Sequence, residues 1–352
     1  MVGAILLAGL VVGVSGALAP SPVEAMQADA TSVTSTAAVG LGGADCYTTA
    51  TGAPFVPGTD VQPCTPPPSG PAPSPTLPAP GPPAGERPGP GNTGPAAGTV
   101  FTEHKGDLVI STAGQIVDSV LVRGAIRVTA PGVTIRNSLV TGRAGLVRGQ
   151  PLIYAGLGSS AGLRIENTEI APTDANWVVN GIYGYGFTVD RVDIHRVVDA
   201  VHIFGDDVVV KRSWFHDHYH GPDPGQPDKV THDDSIQIQN GRNIRIVGNA
   251  MSGAYNAALQ VTQGTGVVAD LTFSDNWVAG GQCSLNIAEG NWPAIEGLTI
   301  TGNTLGESRF TCPLLMTPET LARSVVEKNV WEVSKTAIHL TCRAPGKPNW
   351  RC

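Results

Sequence analysis

From Val133 onward one short alternating pattern keeps returning. The segments are "VTIRNSLV" from Val133, "LRIENTEI" from Leu163, "FTVDRVDI" from Phe187, "VVVKRSWF" from Val208, "IRIVGNAM" from Ile244, "LTFSDNWV" from Leu271, "LTITGNTL" from Leu298 and "SVVEKNVW" from Ser324. Apolar and polar residues alternate in each, and a polar or Gly/Asn position then turns the chain, which predicts short strands. The starts lie 21 to 36 residues apart, and no helix-period stretch of any length intervenes. A second set sits between them: "PLIYAG", "GIYGYG", "AVHIFG", "SIQIQN", "ALQVTQ", "SLNIAE", "PLLMTP" and "AIHLTC". Each unit thus carries two or more strands in constant order. Strands that cannot bury an apolar face alone, repeated at a period in the twenties, predict an all-β solenoid of stacked coils.

Stacking makes register testable. Asn249, Asn276, Asn303 and Asn329 recur every 26 or 27 residues, so they are expected to form an amide ladder. Cys283 and Cys312 each precede an inward strand, and coil spacing suits a disulfide between them. In the second strand set Val201, Ile203, Ile236, Ile238, Leu259, Val261, Leu285 and Ile287 are expected to point inward. Tyr183, His202, Gln237, Gln260 and Asn286 then line one outer face, widened by Gln239 and Thr262. A solvated sheet face would satisfy the pattern. The amide and imidazole content points instead to hydroxyl recognition, as on a sugar chain.

Composition adds boundaries. A net charge of −7 and 14% charged residues give no basic patch, so nucleic acid is not an expected partner. Val2 to Ala19 is apolar, rich in Gly and Ala, and lacks a positive n-region; its length approaches that of a membrane span. The reading is an export segment over residues 1–30, with a secreted product and no stable membrane span. Residues 31–98 read as a Pro/Gly/Ala-rich linker containing a small Cys46–Cys64 loop, and residues 99–352 as the folded domain. The six cysteines include no C-x-x-C pair, so disulfides are expected rather than a cysteine zinc site, with Cys342 and Cys352 able to close another loop. The domain is expected to be a monomer.

Candidate chemistry concentrates in "HDHYHGPDPGQPDKVTHDDSIQIQ", His216 to Gln239, which holds four of the eight histidines and five aspartates. Prolines and glycines mark an irregular loop, and "DDSIQIQ" returns it to a strand. This is the longest coil, and long loops on a solenoid border its binding face. In an extended chain His216, His218 and His220 would share one side, so His216, Asp217 and His218 are candidate metal ligands, with His232 completing a transition-metal set.

The repeats resemble the right-handed parallel β-helix of the pectate-lyase-like superfamily over roughly residues 99 to 345. "GNTGPAAGT" followed by "VTAPGVTIRNSLVTG" is similar to secreted bacterial β-helix proteins. The resemblance implies a polysaccharide substrate or a cell-surface glycan as partner. "DDSIQI" resembles the D-D-x-[IV]-x-[IV] strand of polygalacturonase-type glycoside hydrolases, which implies general acid and base roles for Asp233 and Asp234. The N-T-D, G-H-G and R-I-K motifs of those enzymes are missing from the chain. The superfamily also implies β-elimination from a uronate, with Ca²⁺ held by Asp217, Asp223, Asp228, Asp233 or Asp234. Lys229, His232, His202 or Arg212 would then be the base. The incomplete hydrolase motifs rank a lyase of acidic polysaccharide first, a hydrolase second, and a non-catalytic glycan-binding module as the alternative from another class.

Overall fold

The computed structural model describes residues 86–147, 150–156 and 160–338, and the backbone of 341–342. The export segment, the linker up to residue 85, the Cys46–Cys64 loop and the Cys342–Cys352 pairing lie outside the described residues. Among the described residues there are 29 strands and one four-residue helix, Pro318–Leu321. The strands form three sheets of ten, ten and nine, and every pairing between neighbours in them is parallel. The first sheet runs from Thr102–Lys105 to Val330–Trp331, the second from Leu108–Ile110 to Thr341–Cys342, and the third from Val325–Glu327 back to Ile116–Asp118. Each coil contributes one strand to each sheet in turn. This is a parallel β-helix, consistent with the right-handed coil that parallel crossovers favour. No helix among the described residues is long and apolar enough to cross a membrane.

The corner from third to first sheet shows how the local sequence makes the coil. One residue takes a left-handed backbone and a small polar residue follows. The pairs are Asn137-Ser138, Asn167-Thr168, Arg212-Ser213, Gly248-Asn249, Asp275-Asn276, Gly302-Asn303 and Lys328-Asn329, with φ between 44° and 70° at the first member. Gly248 and Gly302 adopt this turn without the Cβ clash that other residues meet. The second member bonds along the coil axis. Asn249 Nδ2 donates to Asn276 Oδ1 at 3.0 Å, Asn276 to Asn303 at 3.0 Å, and Asn303 to Asn329 at 2.8 Å. Each oxygen also accepts the backbone N–H of the preceding coil's ladder residue. Ser213 N donates to Asn249 Oδ1, and toward the N-terminus hydroxyls take over as acceptors: Val192 N donates to Ser213 Oγ and Val120 N to Ser138 Oγ. The expected ladder is therefore present and longer than the asparagines alone. All four asparagines are buried, so each missing partner would cost about 1–3 kcal/mol.

The interior is aliphatic. Val201, Ile203, Ile236, Ile238, Leu259, Val261, Leu285 and Ile287 all point inward and are at most 1% exposed, as the alternation predicts. Burying each is worth roughly 1.5–3 kcal/mol. Cys283 and Cys312 face each other in register and are bonded. Residues 86–98, expected to be the end of the linker, lie against the coils instead. Pro88 and Thr93 are buried, Arg87 pairs with Glu332, and Gly94 N donates to Arg191 O at 2.9 Å.

Candidate functional site

The outer face of the second sheet has the expected register: Tyr183 pairs with His202, His202 with Gln237, Gln237 with Gln260, and Gln260 with Asn286. These side chains are not a solvated surface. They floor a cleft of about 410 Å³, with His202 7% and Gln260 8% exposed. That volume suits a small ligand or a short segment of a chain. Cross-strand bonds order the floor: Asn286 Nδ2 donates to Gln260 Oε1 at 2.9 Å, and Gln239 Nε2 donates to His202 Nε2 at 3.1 Å. His202 packs face to face with Phe204 and edge-on to Tyr183. With Nε2 accepting from Gln239, the proton of a neutral His202 sits on Nδ1, 3.4 Å from Asp199 Oδ2. That buried nitrogen makes no hydrogen bond among the described residues.

One wall of the cleft is a second run of side chains along the coil axis, and it carries charge. Asn180, Asp199 and Asp234 each stand two residues before the first inward residue of their strand, and Asn256 follows them one coil on. Asn180 Oδ1 accepts from Asp199 N at 2.7 Å, Asp199 Oδ1 accepts from Asp234 N at 3.1 Å, and Asp234 Oδ1 accepts from Asn256 Nδ2 at 2.8 Å. All four line the cleft, and both aspartates are buried to within 6% of full. Burial first, and then the Asp199 carboxylate, hold the Asp234 carboxyl well above the usual carboxylate range, against the opposing hydrogen bond from Asn256. A carboxyl that keeps its proton beside a second carboxylate is the pairing that acid–base catalysis uses.

The long loop divides its residues between cleft and scaffold. Asp223, Gln226 and His232 reach the cleft, with His232 Nε2 2.9 Å from Asp228 Oδ2. Asp233 does not line the cleft. It is fully buried, faces His220 Nδ1 at 2.7 Å and accepts from Tyr255 N at 2.6 Å, so it closes the loop onto the next coil. Lys229 is also outside the cleft lining, its Nζ donating to Pro224 O at 3.1 Å. The HDHYH histidines do not converge. His218 is buried in the wall, between Val198 O and Ser235 Oγ at 3.0 Å each, and burial lowers its pKa. His216 lies on the first sheet between Asp193 and Asp217. Of the aspartates expected to hold Ca²⁺, Asp223 and Asp234 line the cleft, whereas Asp217 and Asp228 do not. Among the described residues those five bring no three donor atoms within 4.8 Å of one another, so the residues present do not form a preformed Ca²⁺ cage.

Sequence reasoning missed Asp199, Asn180, Asn256 and the aromatic Trp177 at the cleft edge. The signal for the first two was present, because Asn180-Gly-Ile182, Asp199-Ala-Val201 and Asp234-Ser-Ile236 repeat one spacing. Comparison with known proteins gives no match: no family model, curated protein or solved structure is significantly similar to the chain.

Proposed function

We propose that the domain is a glycoside hydrolase acting on an extracellular polysaccharide, with Asp234 as general acid and Asp199 as the partnering carboxyl. The observation that carries this reading is the Asp199–Asp234 pair itself: two buried carboxyls from adjacent coils open into one amide-lined cleft, and burial and the neighbouring carboxyl raise the pKa of Asp234. Asp234 would protonate the departing glycosidic oxygen. Asp199, beside His202, would activate water or attack the anomeric carbon. Gln237, Gln239, Gln260 and Asn286 supply the hydroxyl partners, and Tyr183 and Trp177 supply apolar edge for sugar rings. Together with the fold, the Asp-Asp strand supports placing the domain among the pectate-lyase-like β-helices.

Elimination, ranked first on sequence, has less support in this geometry. Among the described residues no lysine or arginine lines the cleft to meet a uronate carboxylate, and Lys229 is engaged elsewhere. A panel of neutral and acidic polysaccharides separates the readings. New reducing ends without unsaturated-uronate absorbance are expected. Absorbance gain would establish a lyase, and retained binding with no product would establish a glycan-binding module.

A further inference from the structure

A second constellation lies on the first sheet, outside the cleft. We propose that Asp193, His195 and His216 bind a divalent transition-metal ion of the Zn²⁺ class. Two adjacent coils build the set, since Asp193–His195 pairs with Trp214–His216 in parallel register, His195 opposite His216. One donor atom from each residue falls within 4.8 Å of the others, and Asp193 Oδ1 stands 3.0 Å from His216 Nε2. Two ligands on one tetrahedral Zn²⁺, each roughly 2.0–2.1 Å from it, stand about 3.4 Å apart, so small side-chain rotations close the set.

The surroundings match what metal-bound imidazoles require. His216 Nδ1 lies 2.8 Å from Asp217 Oδ2, which leaves Nε2 for the ion. His195 Nε2 lies 3.2 Å from Glu169 Oε1, which leaves Nδ1. Carboxylates on the far nitrogens fix tautomer and ring orientation. Trp214 stacks on His216 at 3.5 Å, and the near-parallel His195 ring, 4.8 Å from His216, turns toward it to share the ion. Asp193 and His216 side chains are only 14% and 12% exposed. Gly94 passes above, where a side chain would meet Cβ of Asp193 at 3.5 Å and of Glu169 at 3.9 Å. Three carboxylates converge on two imidazoles, an excess of negative charge that a cation neutralises. His216 ends its strand and Asp217 opens the long loop, so the ion would fasten the stem of the loop that borders the cleft.

The test is calorimetric titration of the chelator-treated full-length chain with ZnCl₂. One ion per chain is expected, with affinity falling at least about tenfold in Asp193→Asn, His195→Gln and His216→Gln, while Asp234→Asn binds as the parent does. Circular dichroism checks that each variant keeps its β signal. Absence of Zn²⁺ binding by the parent overturns the proposal, whatever the variants do. Undiminished binding in the folded variants overturns it equally, because the ion would then sit elsewhere.

Discussion

Two runs of side chains climb this β-helix, and the contrast between them locates the chemistry. The ladder at Asn249, Asn276, Asn303 and Asn329 is sealed, neutral and self-satisfying: each oxygen accepts from the preceding coil, and each Nδ2 donates to the next asparagine or, at Asn329, to Ile300 O. The run at Asn180, Asp199, Asp234 and Asn256 performs part of the same task, with side-chain oxygens accepting from the next coil. Yet it places carboxyls at its two central positions, where amide oxygens would accept the same bonds. A buried carboxylate costs desolvation that an amide does not. The first run shows that this fold needs no charge to join its coils, so charge in the second answers to the cleft it faces.

The contrast can be broken from either side. Placing a carboxylate in the sealed ladder is expected to have the largest effect. Asn276→Asp sets oxygen against Asn303 Oδ1 and Ile246 O, where Nδ2 now donates. It should lower stability by about 3–5 kcal/mol, as an uncompensated buried charge does, readable in denaturant unfolding at neutral pH. Removing the charge from the cleft run should act on rate instead. Asp199→Asn keeps an acceptor for Asp234 N and should cost roughly a hundredfold or more in turnover, about 2.7 kcal/mol of barrier, measured by reducing-end release on a substrate from the panel. Asp233→Asn tests the neighbour that faces away from the cleft. An amide there keeps one acceptor but sets an NH2 against either His220 Nδ1 or Tyr255 N, which should destabilise the domain by about 1–2 kcal/mol, with little change in turnover per folded molecule. Smallest is Gln260→Ala, a neutral hydrogen-bonding residue on the floor, which should weaken substrate binding by about 0.5–1.5 kcal/mol and leave turnover near the parent value.

Much of this was legible because period-2 alternation and stacking are local rules. Tyr183, His202, Gln237, Gln260 and Asn286 could be aligned from the apolar residues between them, and the structure pairs them as expected. The amide ladder and Cys283–Cys312 followed from equal spacing. The loop resisted the same logic because it is not extended. Asp217 takes a left-handed backbone at φ 45°, which breaks the alternation and turns His218 into the wall, away from His216. Asp233 and Asp234 could not be told apart either, since adjacent residues face opposite ways and only the coil decides which meets the cleft. Asp199 belongs to none of the motifs the sequence offers, and only its place two residues before Val201 marks it.

The most direct measurement takes turnover and thermal unfolding of Asp234→Asn beside the parent. Asp234 carries a folded pKa raised by burial and by Asp199, so the folded state holds a proton that the unfolded chain releases. The parent therefore loses stability as pH rises from the ordinary carboxylate range toward the folded pKa, and the amide removes that slope. Asn256 keeps its acceptor in the variant. The account predicts a variant that melts at or above the parent at neutral pH, loses the parent's decline in stability with rising pH, and turns over at least about a hundredfold more slowly. A variant that melts well below the parent would make Asp234 a structural ladder member like Asn276, and one that turns over at the parent rate would place the chemistry outside the Asp199–Asp234 pair.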